Sequence, residues 1–161
     1  MQRCDWAGPE QIYLDYHDTD WGVPEYDSRA LCKKRENFRE AFAGFDPNVI
    51  ATWGEPDVER LLANPGIIRH RGKIAAAITN ARVWQQIEQK EGFDRYLWKY
   101  VDFEPLQNRF ESQAEVPAWT PLSKQISIDL KKQGFKFCGP TIVYAFMEAV
   151  GMVNDHLTCC H

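Results

Sequence analysis

Prolines stand where helices would begin, and almost no stretch alternates β-branched with polar residues. Proline fits the first helical turn because its missing N–H costs nothing there. Period-two alternation is what a half-buried strand needs. The chain is therefore read as a series of helices. Pro9-Glu10 opens one through Ile12, Tyr13, Tyr16 and His17, closed by Gly22-Val23-Pro24. Asp27 or Ser28 caps a second, reaching Phe42, and Asp46 precedes Pro47 as a cap for a third. Glu55-Pro56-Asp57 starts a short helix carrying Leu61 and Leu62. A Pro-Gly turn from Asn64 to Lys73 leads into a helix with Ile74, Ile78, Ala81 and Val83, ending near Gln89. Phe93 to Tyr100 reads as a short aromatic helix, and Glu104 to Ala118 as a loop. Leu122, Ile126 and Leu130 keep helical spacing after Pro121, and a last apolar helix runs from Ile142 to Val150. The expectation is one all-α domain over residues 1–161.

Composition narrows the function. Hydrophobic residues are 44% and charged residues 26%, which excludes a disordered chain, a collagen and a coiled coil. No apolar run approaches the roughly 20 residues of a membrane-spanning helix. The N-terminus, Met1-Gln2-Arg3-Cys4-Asp5, leads into no apolar stretch, so a cytoplasmic protein without a signal peptide is expected. Acidic side chains outnumber basic ones, 23 to 19. Contact with nucleic acid would then need a local basic patch.

Metal-ligating residue types gather at the two ends. Cys4 and His17 lie near the start, and His156, Cys159, Cys160 and His161 near the close. Five cysteines in a cytosolic chain do not suggest a disulfide framework. Zinc favours four thiolate or imidazole ligands in a tetrahedron. His156 and Cys160 share a helical face, and Cys4 and His17 could complete the set. Cys159 and His161 are rival ligands, and incidental terminal residues are the plainer reading.

The connector Gly134-Phe135-Lys136-Phe137-Cys138-Gly139-Pro140-Thr141 lies between two helices. Its glycines allow close backbone approach, and a helix start can offer N–H groups to a phosphate. Lys131, Lys132 and Lys136 supply the basic patch, and Arg69, Arg71 and Lys73 form a second one on a similar turn. An ordinary turn with solvated lysines is the simpler account. Trp6, Tyr13, Tyr16 and Trp21 form an N-terminal aromatic set, by itself more often core than a ligand box, though a base pocket gains weight beside a metal clip and a phosphate-binding hairpin. There is no P-loop, no GxGxxG and no nucleophile constellation.

Taken together, these segments resemble the bacterial Tag-type DNA-3-methyladenine glycosylase I family. The resemblance runs over nearly the whole length. It rests on Arg3-Cys4-Asp5-Trp6, Tyr16-His17-Asp18, Trp21-Gly22-Val23-Pro24 and Lys33-Lys34-Arg35-Glu36-Asn37-Phe38-Arg39. It continues in Gly66-Ile67-Ile68-Arg69-His70-Arg71, Gly134-Phe135-Lys136-Phe137 and Val153-Asn154-Asp155-His156. It implies a helix-hairpin-helix glycosylase fold in which a structural zinc, held by Cys4, His17, His156 and Cys160, snaps the termini together. It implies a flipped-base pocket walled by Trp6, Tyr13, Tyr16 and Trp21. DNA would be held by Gly134, Lys136, Gly139 and Thr141, with Arg69 and Arg71. The implied partners are alkylated double-stranded DNA and the 3-methyladenine base. The implied enzyme is a monomer that hydrolyses the N-glycosidic bond in base-excision repair.

The chain departs from that family at one place. Between Leu31 and Lys33 stands only Cys32, where the family carries about five further helical turns. That stretch supplies the family's base-recognising carboxylate, a stacking Trp and the wedge that fills the vacated DNA stack. No catalytic residue can therefore be named. Either the protein possesses a segment this sequence omits, or the deletion is real. A real deletion predicts the alternative function, a homologue that binds DNA or free purine without excision.

Overall fold

The computed structural model describes residues 34–159. The first two expected helices up to residue 33 lie outside them, apart from the end of the second. Seven α-helices occur among the described residues: α1 (Arg35–Ala41), α2 (Pro47–Ile50), α3 (Glu55–Ala63), α4 (Arg71–Lys90), α5 (Phe93–Trp98), α6 (Pro121–Gln133) and α7 (Pro140–Ala149). The chain divides into two compact units, one built from residues 34–93 with Leu130–Phe137, the other from Asp94–Asp129 with residues 138–159.

Local chemistry explains where the helices of the first unit begin. Asp46 accepts the Asn48 N–H at 2.8 Å, with Pro47 at the first helical position of α2. Asp57 accepts the Gly54 N–H at 3.0 Å and so closes the start of α3. His70 caps α4 by accepting the Lys73 N–H on Nδ1 at 3.1 Å. Each satisfies a donor that a helix end would otherwise leave orphaned. The long helix α4 packs against α2 and α3. Ile74, Ile78 and Ala81 of α4 join Phe42, Ile50, Trp53, Val58, Leu61 and Ile67 in one buried apolar cluster. Leu61 and Ile74 are fully buried, each removal from water worth about 1.5–3 kcal/mol. Arg82 ties the end of α2 to α4 by donating from Nε to the Ala51 carbonyl at 2.8 Å.

The second unit holds a feature that the expected Glu104–Ala118 loop did not include. Leu106–Gln107 (β1) pairs in parallel with Val153–Asn154 (β2), in the register Leu106 with Val153 and Gln107 with Asn154. A further bridge joins Phe110 to Leu157. Two-residue strands are too short to show alternation, so the pattern could not reveal them. The protein is thus mostly helical rather than purely so. Thr120 and Ser123 cap α6 reciprocally, the Thr120 N–H meeting Ser123 Oγ at 2.9 Å and the Ser123 N–H meeting Thr120 Oγ1 at 3.2 Å. Beneath the small sheet, Asp155 is buried and accepts from Tyr144 Oη at 2.6 Å and from Asn108 Nδ2 at 2.7 Å. Burial, then the Asp155 hydrogen bond, pushes the Tyr144 hydroxyl well above its ordinary value.

Candidate DNA interface

The connector after α6 begins with Gly134 at φ +110°, a left-handed turn that glycine adopts without strain. Its amide returns to the Lys131 carbonyl at 3.0 Å, and that of Phe135 to the Leu130 carbonyl at 3.0 Å. These bonds satisfy the last carbonyls of α6 in the manner of a left-handed helix stop. A Cβ at Gly134 would meet the Val83 methyl at 3.2 Å, so glycine is also required by close packing on α4.

Asn80 of α4 then grips the next turn from both sides. Its Nδ2 donates to the Lys136 carbonyl at 3.0 Å, and its Oδ1 accepts the Lys136 N–H at 2.8 Å. One side-chain amide thus imitates the edge of a strand and fixes the peptide on either side of Lys136, whose side chain is exposed. Lys131 and Lys132 occupy the last turn of α6, where cations also suit the helix dipole. Phe137 follows with φ +56°, and 44% of it is exposed. Its ring meets His70 edge-on, centroids 6.3 Å apart, and Lys73 Nζ lies 5.8 Å from the ring centre.

The two glycines of the connector differ. Gly139 has φ −67° and no atom within 4 Å of an added Cβ, so nothing in its own surroundings demands glycine. It precedes Pro140 at the start of α7, which has no side-chain cap, and Thr141 beside it is exposed. A small residue before an uncapped helix start leaves room for a partner's oxygen to approach.

The second basic turn is arranged differently. Arg69 is exposed. Arg71 sends one guanidinium nitrogen to Glu55 and the other to Glu59, both across on α3. Those hydrogen bonds, Glu59's first, raise its already high pKa further. Two carboxylates for one guanidinium leave the group net negative.

Of the expected zinc ligands only His156 is described. It is exposed, two residues after β2, and its backbone N–H meets Asn154 Oδ1 at 3.1 Å. Cys4, His17 and Cys160 lie outside the described residues, as do the pocket candidates Trp6, Tyr13, Tyr16 and Trp21. Among the described residues no three His, Cys, Asp or Glu side chains gather as metal ligands. Sequence reasoning passed over Asn80 and Phe137. A large apolar residue directly after a lysine in a glycine-bounded turn was a usable signal for Phe137. Nothing in the spacing of α4 marked Asn80.

Among the described residues the protein is mostly helical, with a braced, lysine-bearing turn between two helices. The family model for methyladenine glycosylase matches residues 30–161. The chain is 44% identical to DNA-3-methyladenine glycosylase 1 of Escherichia coli (strain K12), covering 100% of this chain and 97% of that protein. It is 41% identical to DNA-3-methyladenine glycosylase of Haemophilus influenzae, covering 98% and 96%. A crystal structure of 3-methyladenine DNA glycosylase I superposes with a TM-score of 0.82 at 47% identity, covering 99% of this chain and 98% of that one. A Staphylococcus aureus glycosylase I structure, described as showing the basis of 3-methyladenine recognition, gives 0.80 at 34% identity, covering 99% and 95%. The chain belongs to the methyladenine glycosylase family. The alignment with the E. coli protein runs over 182 positions against 161 residues here, so that relative carries residues this chain lacks. The family model starts to match at residue 30, beside the break expected at Cys32.

Proposed function

We propose that this protein is a DNA-3-methyladenine glycosylase acting in base-excision repair. The observation that carries this reading is a family match along essentially the whole chain, and the Asn80-braced, lysine-bearing turn supports it. A base inside a duplex must leave the stack before an enzyme can act on it. Methylation at N3 gives the base a positive charge and makes it a good leaving group. The bond from C1′ to the base nitrogen breaks, its electron pair neutralises the base, and water supplies oxygen to C1′ while losing a proton. The protein's task is then selection more than acid catalysis. Trp6, Tyr13, Tyr16 and Trp21 are proposed as the aromatic walls, because ring faces attract a cation. Gly134, Lys136, Gly139, Thr141 and Arg69 are proposed to hold the DNA backbone in a helix-hairpin-helix arrangement. Arg71 is a weaker candidate, since Glu55 and Glu59 occupy its donors.

A structural zinc belongs to the same proposal. Two thiolates and two imidazoles, from Cys4, Cys160, His17 and His156, suit its tetrahedral preference. The ion would tie the chain's ends and take no part in hydrolysis. Metal analysis of purified protein is expected to give one zinc per chain, and a metal-free protein of full stability would remove this element.

No helix among the described residues is long and apolar enough to cross a membrane. A cytoplasmic monomer is proposed. None of the relatives' names favours the alternative of binding without excision. Incubation of the 161-residue chain with methylated duplex DNA tests the reading. Release of free 3-methyladenine is expected; binding without any release would establish the alternative instead.

A further inference from the structure

We propose that Phe137 is a DNA-contacting residue, laying its ring against the apolar sugar edge of the strand beside Lys136. This rests on the glycosylase reading above and adds to it a contact that is not electrostatic. The left-handed region is unfavourable for an aromatic side chain, and glycine would occupy it freely. Phe137 holds that conformation at φ +56° while leaving 44% of itself in water. It is therefore not strained in order to fill a core. One edge of the ring rests on His70 at the start of α4 while the rest faces solvent, and a left-handed aromatic at a surface is found at sites serving a ligand.

The surroundings point to the ligand's class. The Lys136 main chain is clamped on both sides by Asn80, so the backbone that carries the ring is held in place. Lys136 precedes it, and Lys131 and Lys132 end the helix before it, all three exposed. An apolar ring set among cations matches a strand whose phosphates are anionic and whose sugars are apolar. Asn80 is the positioning residue of this arrangement.

The experiment measures the affinity of Phe137→Gly and Phe137→Asn for a duplex containing a tetrahydrofuran abasic analogue, over a series of salt concentrations. Both replacements tolerate the left-handed backbone, so the fold is retained. Affinity should fall about tenfold, the order of an aromatic contact to a nucleotide, at every salt concentration. The salt slope should not change, because a ring releases no counterions. Binding of free 3-methyladenine should stay as in the unaltered protein, and the melting temperature should not fall, because both replacements relieve the left-handed strain. The loss should be the same for duplexes of different flanking sequence. Unchanged DNA affinity overturns the proposal, as does a changed salt slope or a parallel loss of free-base binding. A loss confined to one flanking sequence overturns the sugar assignment. Failure of the unaltered protein to bind the duplex at all would instead defeat the glycosylase reading itself.

Discussion

Two basic turns in this molecule look alike as sequence and differ as structure. Each joins glycine to a helix end and carries cationic residues, one around Arg69, Arg71 and Lys73, the other from Lys131 to Lys136. In the first, α3 sets Glu55 and Glu59 against the Arg71 guanidinium, and the charge is cancelled within the protein. In the second, the brace from Asn80 uses only the main chain of Lys136 and leaves its ammonium exposed. A cation's value to DNA depends on what already faces it. In an acidic chain that question decides which lysine or arginine can serve.

The sharpest way to break this contrast is to reverse one charge. Lys136→Glu should weaken binding to the abasic duplex about tenfold or more and lower the magnitude of the salt slope by about one, read from affinity against salt. If Lys136→Glu binds as the unaltered protein does, the two turns are not functionally distinct. A second comparison sets this solvent-facing amide brace against the buried polar trio of the other unit. Tyr144→Phe leaves one Asp155 oxygen without its donor and should cost about 1–3 kcal/mol, measured by denaturant unfolding. The raised hydroxyl also gives a sign in pH. Its stabilising contribution is full below the unfolded value of 10.0 and is lost as the pH rises above it towards the higher folded value. Tyr144→Phe should therefore flatten the loss of stability in alkali.

Arg71→Gln should behave oppositely to Lys136→Glu. Its partners are more than half exposed, so stability should barely change in denaturant unfolding, with DNA affinity changed less than about twofold. The smallest effect, and the most informative about cancellation, belongs to Glu55→Gln combined with Glu59→Gln. Releasing Arg71 from both carboxylates should raise DNA affinity by about twofold and increase the salt slope slightly, measured on the same duplex. No gain would show that the first turn lies away from the DNA.

Much of the helical framework was legible in the residues. Asp46-Pro47, Glu55-Pro56-Asp57, Pro121 and Gly151 mark boundaries because capping and proline geometry act over a few neighbouring positions. The parallel pairing of Leu106–Gln107 with Val153–Asn154 was not, since a two-residue strand carries no period. Candidate charges could be counted, but not their availability.

The sequence by itself determined where helices start and stop, which residues are apolar enough to pack, and the family to which the chain belongs. Those properties are local, or lie in the order of residues. Tertiary structure alone decided that Asn80 would hold a peptide 56 positions away, that Glu55 and Glu59 would silence Arg71, and that Phe137 would take a left-handed backbone against His70. Hydrogen bonds and ion pairs reach only a few ångströms. Which partners come within that reach is set by the packing of α3 and α4, and no spacing along the chain encodes it.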